Sequence, residues 1–429
     1  MNGPATDLTW RHRSKLFAIL LIPAVPLILL YLAHRLWVRR KGLVGLGDKL
    51  TGAVAPTPPG GILVHGVSLG EVQLMRPLVP LLEQRLGRPC VLTASSETGA
   101  AALAEHFPDH ERRFLPVDLP WAVARFLQRT RPAALILLEL EIWPLLLLAC
   151  HARQIPVILV NARVSENSFA GYRRAGGLLR PILRRMHLAL AQNSLWGARL
   201  RALALPSVKV SGSLKADMVR RASPEQRDAE ASRLGLPLGP AHDKKVFLVA
   251  STSAGEEDAL VATWRKWGRI AGWRLVICPR HPERGEAIAD LCLRQSVLCS
   301  RTSCEPVPIP DDHAIIVDEI GRLGALYANA TLCVVGGSLG SGRGGQNMLE
   351  AAAAGCATVV GTDTRNFPDA MALLRSADAV VEVDSTTLDA TLDTLVRDPA
   401  RRRIMGEHGE AAWHAGQGAL ARTIKQLAP

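Results

Sequence analysis

Residues 333–355 read CVVGGSLGSGRGGQNMLEAAAAG and carry the strongest indication of fold in the chain. The apolar run 331–335 predicts a buried strand, six glycines follow it, and the leucine and alanines after Asn347 predict a helix. A glycine-rich turn that opens a helix lets backbone N–H groups approach an anion. The segment therefore predicts a nucleotide or nucleotide-sugar site in which Glu350 can reach ribose hydroxyls. A tight strand-to-helix connection without a ligand is the alternative.

Outward from this segment, short apolar runs alternate with amphipathic stretches, which is typical of βα repeats over a parallel sheet. The polar, proline-containing stretch 221–244 predicts a linker between domains at 42–220 and 245–429. The expected fold class is α/β, with two doubly wound, Rossmann-like domains that face each other across a cleft and bind ligands at the carboxyl ends of their strands. The predicted strands are residues 62–65, 90–93, 113–115, 134–138, 157–161, 188–192, 208–211, 245–250, 273–278, 314–317, 331–335, 358–360 and 379–382.

Composition narrows the possible partners. The 429 residues carry a formal net charge of +12, which favours an acidic partner such as anionic lipid, a phosphorylated substrate or nucleic acid. Aromatic residues make up only 4% of the chain and do not alternate with basic residues, so nucleic acid is not expected as a partner. The eight cysteines form no CxxC pair and are expected to be reduced, mostly buried thiols of a cytoplasmic protein.

The N-terminal residues 1–41 predict a membrane anchor. Residues 16–33 are apolar and uncharged, and the run has roughly the minimum length that spans a bilayer. Both flanks are basic, so charge alone leaves the orientation open, although the denser cluster after the run favours a cytoplasmic body at the inner membrane. A cleaved signal peptide is the competing interpretation, but no small-residue cleavage site precedes the second basic cluster.

Polar residues follow several strands of the first predicted domain. Glu71, in HGVSLGE, lies at a strand-to-helix turn, where its carboxylate can take a proton from a hydroxyl nucleophile. The alternative is that its negative charge only stabilises the start of the helix through the helix dipole. Glu139 and Glu141 follow a very apolar strand, and alternation places both on one side if that strand continues. The turns around Asn161 and Lys215 bring further polar groups to the same edge.

Two turns of the second domain carry candidate ligand contacts. Residues 250–257, ASTSAGEE, place hydroxyl groups at a helix start, where they can cap the helix or hold phosphate and sugar oxygens. Residues 278–284, CPRHPER, place Arg280 where a guanidinium can offset a phosphate's charge. His281 beside it could bind a ligand or act as a base, but a structural, hydrogen-bonded role is the expectation.

The ordered motifs resemble those of the 3-deoxy-D-manno-octulosonic acid (Kdo) transferase family of lipopolysaccharide synthesis. They are HGVSLGE, ELEIWP, NARVS, GSLKAD, ASTSAGEE, PRHPER and GGQNMLEAAA, and they span nearly the whole chain, including the predicted anchor. The resemblance implies a two-domain GT-B glycosyltransferase that transfers Kdo from CMP-Kdo to a lipid A precursor at the membrane, with no metal in the donor site and no further cofactor. The first domain would bind the acceptor and the second the nucleotide sugar.

The same resemblance implies roles for particular residues. Glu71 would be the catalytic base, and Glu139 and Lys215 would stabilise the transition state. The arginines in residues 172–186, YRRAGGLLRPILRRM, are candidates for holding the acceptor's phosphates and the anionic membrane surface. The implied contacts to CMP are Pro279, Arg280, Ile320, Gly321, Arg322, Asn347, Met348, Leu349 and Glu350.

Three positions depart from the family pattern, all in the donor half. Gln346 replaces a histidine, Ser253 replaces the histidine of an STH triplet, and Arg322 replaces a glutamate, which changes the local charge by two units. Because of these changes, an alternative is that the chain is a membrane-associated GT-B enzyme that uses another nucleotide sugar. A third alternative is a non-catalytic lipid-binding protein on a degenerate GT-B fold, which retention of Glu71 and Arg280 disfavours.

Overall fold

The computed structural model describes residues 44–238, 245–267, 272–304, 307–340 and 342–427. The chain divides into two compact units. The first contains residues up to Met218 and the C-terminal residues from Gly418, and the second contains Val219–Gln417. The chain therefore leaves the first unit once and returns to it for its last helix.

The first unit has a parallel sheet of seven strands in the order β3-β2-β1-β4-β5-β6-β7. The strands are β1 (Ile62–Gly66), β2 (Cys90–Ala94), β3 (Glu111–Phe114), β4 (Ala134–Leu138), β5 (Val157–Ala162), β6 (Leu188–Ala191) and β7 (Val208–Val210). The helices are α1 (Leu46–Thr51), α2 (Leu69–Leu86), α3 (Glu97–His106), α4 (Pro120–Thr130), α5 (Pro144–Ala152), α6 (Glu166–Arg174), α7 (Gly176–Leu183), α8 (Ser194–Ala202), α9 (Leu214–Met218) and the C-terminal Ala419–Leu427.

The core of this unit lies on both faces of the sheet. Alternate residues of β4 join different clusters: Leu135 and Leu137 pack on one face, and Ile136 and Leu138 pack on the other. A strand buried on both faces reads as a continuous apolar run, which is why ALILL predicted this strand correctly. The order of strands reverses between β1 and β4, and such a switch point is where open α/β sheets bind ligands.

The second unit repeats the plan with seven strands in the order β10-β11-β9-β8-β12-β13-β14, all the described pairings being parallel. Its switch point lies between β8 and β12. The strands are β8 (Val246–Thr252), β9 (Arg274–Pro279), β10 (Cys299–Arg301), β11 (Ala314–Ile316), β12 (Leu332–Val335), β13 (Ala357–Gly361) and β14 (Val380–Val383). Helices α10 to α17 are Pro224–Leu234, Glu256–Trp267, Gly285–Arg294, Leu323–Asn329, Met348–Ala353, Pro368–Ser376, Leu388–Arg397 and Pro399–Gly416.

The prediction of two parallel-sheet α/β units is confirmed. Every predicted strand forms within a few residues of its expected position. The sequence analysis missed β10, because its three residues, Cys-Ser-Arg, show neither an apolar run nor alternation. The cysteines are free thiols, six of them buried, and Cys304 is exposed.

The predicted anchor, residues 1–41, lies outside the described residues. Within the described ranges, no helix is both long enough and apolar enough to cross a bilayer.

Candidate active site

Glu71 lies at the carboxyl end of β1, in the first turn of α2. Its Oε2 accepts hydrogen bonds from the backbone N–H groups of Val67 and Ser68, the latter at 2.9 Å, and Oε1 takes neither bond. Gly66 makes the approach possible, because a Cβ there would lie 2.8 Å from the Cβ of Glu71. Burial raises the pKa of Glu71, and the charge of Glu139 raises it further. The capping interpretation is therefore confirmed, and the role of Glu71 as a base stays a prediction.

Glu139 lies across the switch point, directly after β4. Its Oε1 lies 3.0 Å from Nζ of Lys215, and its Oε2 lies 2.9 Å from Nε of Arg163. The carboxylate is only 12% exposed, and its backbone adopts a φ of 59°, a left-handed conformation that costs energy in a non-glycine residue. Two of the predicted catalytic residues are thus brought into direct contact, and Arg163 joins them.

The two carboxylates of the ELE motif do not alternate along a strand. The β-strand ends at Leu138, and the left-handed turn at Glu139 breaks the alternation. Glu141 instead accepts a hydrogen bond from Nε1 of Trp143 at 3.0 Å. Burial, followed by the charge of Glu71, raises the pKa of Glu141 to about 7. The expectation of a shared strand face is wrong, but the carboxylates of Glu71, Glu139 and Glu141 still lie close enough to affect one another.

Asn161 holds the helix that carries Lys215. It is the second-last residue of β5 and has a left-handed conformation with a φ of 56°, and its Oδ1 accepts a hydrogen bond from the backbone N–H of Leu214 at 3.0 Å. Gln192 donates to the carbonyl of Asn161 at 2.7 Å. Asparagine tolerates this backbone conformation better than most residues and supplies the acceptor as well. The turn after β5 therefore positions both Arg163 and, through Leu214, Lys215.

In the second unit, the predicted donor contacts lie at the end of β9, on the loops after β9 and β11, and at the start of α14. Asn347 donates to Oε1 of Glu350 at 2.8 Å. Burial raises the pKa of Glu350, whereas the hydrogen bond from Asn347 and the charge of nearby Arg280 oppose that rise. Arg280, Asn347 and Glu350 are therefore brought together, as predicted for a nucleotide site.

The other predicted donor residues differ in what they can offer a ligand. The side chains of Met348 and Leu349 are buried in the core of the unit, so they can reach a ligand only through the backbone. Pro279 ends a fully buried strand. Ile320 is 89% exposed, and Gly321 has a φ of 86° that favours glycine at this turn.

The backbone N–H groups at the start of the glycine-rich loop are bonded to the carboxylate of Glu256, a residue of the same unit. Oε2 of Glu256 accepts hydrogen bonds from the N–H groups of Ser253 at 2.8 Å and Gly337 at 2.7 Å. Oε1 accepts one from the N–H of Leu339 at 2.9 Å. The expectation that these loop N–H groups meet a ligand's phosphate is wrong for Gly337 and Leu339. The sequence did not indicate this role of Glu256, because two of its three partners, Gly337 and Leu339, lie more than eighty positions away.

Arg322 does not add an unbalanced charge to the predicted donor site. Its Nε lies 3.0 Å from Glu319, and it also lies 3.5 Å from Glu230 of α10. Arg233 pairs with the same two glutamates, at 2.9 Å and 2.7 Å. The four side chains contain two positive and two negative charges, so the replacement of glutamate by arginine at this position is compensated locally.

Solved structures of other proteins share the fold of this chain. MurG from Acinetobacter baumannii is 15% identical and superimposes with a TM-score of 0.55 over 86% of this chain and 99% of its own. UDP-GlcNAc 2-epimerase from Neisseria meningitidis is 16% identical, with a TM-score of 0.54 over 85% of this chain and 100% of its own. Identities this low show the fold alone, and that fold is GT-B.

Sequence comparison identifies the family. Residues 37–218 match the family model of 3-deoxy-D-manno-octulosonic-acid transferase (Kdo transferase). The Kdo transferase of Bordetella pertussis is 36% identical over 88% of this chain and 89% of its own length. That of Haemophilus influenzae is 30% identical over 87% of each. The chain therefore belongs to the 3-deoxy-D-manno-octulosonic acid transferase family, a family of glycosyltransferases, as the motifs predicted.

Proposed function

We propose that this enzyme transfers Kdo from CMP-Kdo to a tetraacylated, bisphosphorylated glucosamine disaccharide, the lipid A precursor lipid IVA. The observation that carries the proposal is the carboxylate of Glu71: one oxygen is fixed by two backbone N–H groups, and the charge of Glu139 lies close by. This arrangement suits a base that takes a proton from an acceptor hydroxyl.

The proposed reaction is a single displacement that inverts the anomeric carbon. Glu71 accepts the proton of a primary hydroxyl of the acceptor as that oxygen forms its bond to the anomeric carbon of Kdo. The bond from that carbon to the CMP phosphate breaks, and CMP leaves with the electron pair. Arg280 offsets the charge that develops on CMP, whereas Lys215, held by Glu139, stabilises charge near the attacking oxygen.

The donor contacts proposed for CMP are Arg280, the turn at Ile320–Arg322, and the segment from Asn347 to Glu350. The proximity of Arg280, Asn347 and Glu350 supports this assignment. The balanced charges around Arg322 remove the electrostatic reason to expect a different nucleotide sugar. No metal is proposed in the donor site, as the family resemblance implies.

Membrane association is proposed through two features. The predicted anchor at residues 1–41 would hold the body on the cytoplasmic side of the inner membrane. The helices α6 and α7, with Arg184 directly after α7, add exposed arginines at positions 173, 174, 180 and 184, together with Leu178, which is 55% exposed. A basic, partly apolar surface of this kind suits anionic lipid and the phosphates of the acceptor.

Transfer of Kdo to lipid IVA, followed by mass spectrometry, tests this proposal. The wild-type chain should add sugar, Glu71→Gln should lose at least about a hundredfold in rate, and the exposed Glu105→Gln should retain it. The same assay in EDTA should be unaffected. Transfer that survives Glu71→Gln would exclude this residue as the base, and loss in EDTA would contradict the metal-free donor site.

A further inference from the structure

Glu256 occupies the place in the second sheet where a ligand's anion is expected. It follows β8, and two of its three N–H donors belong to the loop that follows β12. These two strands flank the point where strand order reverses, which is where open α/β sheets bind ligands. A glutamate carboxylate there satisfies N–H groups of the kind that often bind phosphate.

The packing around this carboxylate is close. Glu256 is 3% exposed, and a Cβ at Gly336 would lie 2.8 Å from its Oε2 and 2.6 Å from Cα of Thr252. A side chain at position 336, directly after β12, would overlap these atoms, so only glycine fits there. The neighbouring Glu257 binds Arg284, through contacts that include one of 3.0 Å, and so ties the loop after β9 to the same helix.

In the first unit, Glu71 has a position comparable to that of Glu256, but its hydrogen bonds differ. Glu71 follows β1, which has the same place beside a switch point as β8, and it also turns back onto backbone N–H groups. Its two described backbone bonds both end on Oε2. Both oxygens of Glu256 are used, and two of the bonds reach a loop on the neighbouring strand. One glutamate is therefore suited to proton transfer and the other to holding a loop.

We propose that Glu256 is a positioning residue of the donor site: its carboxylate takes the place of a ligand phosphate at Gly337 and Leu339 and holds the glycine-rich loop ready for the nucleotide sugar. The inference rests on the proposed donor site. It also assigns the donor's phosphate to Arg280 and its neighbours, because the N–H groups of Gly337 and Leu339 are already bonded. Glu256 does not touch the donor in this account.

The test compares Glu256→Ala and Glu256→Gln with Glu286→Gln, a change at an exposed glutamate in the first turn of α12 in the same unit. We expect both Glu256 variants to raise KM for CMP-Kdo about tenfold or more, with a smaller change in kcat, because three N–H groups lose a charged acceptor. Hydrogen exchange should become faster at residues 336–345. Glu286→Gln should change neither quantity.

Chemical rescue separates this role from general destabilisation. Formate, which fits the space of the missing carboxylate, should lower the KM of Glu256→Ala and slow exchange of the loop, with no effect on the wild type. If Glu256→Ala does not fold, Glu256→Gln supplies the KM and exchange comparison. Unchanged KM and loop exchange, or faster exchange throughout the unit at normal KM, would overturn the proposal. A wild type that does not bind CMP-Kdo would refute the donor assignment, and the exchange comparison would still decide whether Glu256 holds the loop.

Discussion

At the scale of single residues, the proposed catalytic residues depend on a charge balance around Glu139. Its carboxylate is bonded to Lys215 and Arg163, each of which is about one-third exposed. Loss of Glu139 leaves two nearby cations without their acceptor, and loss of one cation leaves the other bond in place. The three side chains should therefore behave as a coupled group rather than as independent contributors.

A double-mutant cycle on Glu139→Gln and Arg163→Ala measures this coupling. We expect the free energies of unfolding to be non-additive by about 0.5–3 kcal/mol, since the two side chains share a bond. The matched cycle pairs Glu139→Gln with Arg88→Ala. Arg88 bonds the carbonyl of Gly60 at the opposite end of the sheet, so that cycle should be additive within about 0.5 kcal/mol. Equal coupling in both cycles would show that the ion pair makes no specific contribution.

Glu141 should make stability depend on pH. Its folded-state pKa of about 7 exceeds the ordinary glutamate value of 4.5, so the folded state binds more protons between these values. The free energy of unfolding must then fall as pH rises through this range. Glu141→Gln, which cannot ionise, should not show this fall. We expect the variant to gain more in Tm over the wild type at pH 8 than at pH 5. The exposed Glu105→Gln is the control, and an equal gain of Glu141→Gln at both pH values contradicts the prediction.

The sequence indicated the roles of residues whose bonding partners are nearby in the chain, but not of residues whose partners are distant. Glu71 was recognised because its cap is local: Val67, Ser68 and Glu71 lie within one turn. The roles of Arg163 and Glu256 depend on groups that the sheet brings together from distant positions. Single-sequence patterns show which loops share an edge, but they do not show which side chain of one loop bonds to which group of another.

At the scale of secondary-structure elements, the short helix α14 is held by close contact with α17. A Cβ at Gly406 would lie 2.1 Å from the carbonyl oxygen of Gly355, and one at Gly409 would lie 3.1 Å from Ala352. The small side chains of the alanine run that predicted α14 therefore also allow α17 to pack closely against it. Because α14 carries Glu350, this packing helps to fix one wall of the proposed donor site.

Gly406→Ala should destabilise the protein by about 1–3 kcal/mol, because its methyl group would overlap a backbone atom that cannot move alone. Gly324→Ala is the matched control within α13. No atom lies within 4 Å of its added Cβ, and we expect a gain of about 0.4–1 kcal/mol from the less flexible unfolded chain. Denaturant unfolding measures both. Similar effects of the two substitutions would mean that the contact with Gly355 does not constrain the helix pair.

At the scale of the whole molecule, the sequence pattern predicted both parallel sheets because their central strands are largely apolar. It correctly predicted that β9 is followed by Arg280 and that the loop after β12 leads into a helix that carries Glu350. It did not indicate that Met348 and Leu349 are buried or that Arg322 belongs to a balanced cluster, because burial and pairing depend on tertiary packing. Motif spacing thus predicted the positions of the loops better than it predicted the burial and pairing of their side chains.

The net charge of +12 leads to a prediction about the membrane surface. If α6 and α7 contact anionic lipid, replacing Arg173, Arg174, Arg180 and Arg184 by glutamate in the full chain should weaken binding to vesicles that contain anionic phospholipid. The matched control replaces Arg265, Arg294, Arg401 and Arg403, which are exposed residues of the second unit, and changes the net charge equally. Vesicle co-sedimentation at low and high salt measures the effect.

The two charge-reversed variants separate a local surface from overall charge. Each basic residue near an anionic bilayer contributes roughly 1 kcal/mol, and salt screens that contribution, so the α6–α7 variant should lose most of the salt-sensitive part of binding. Binding that persists at high salt would come from apolar contacts, including those of the predicted anchor. If both variants lose binding equally, long-range attraction by net charge explains the result, and α6 and α7 have no special role at the membrane.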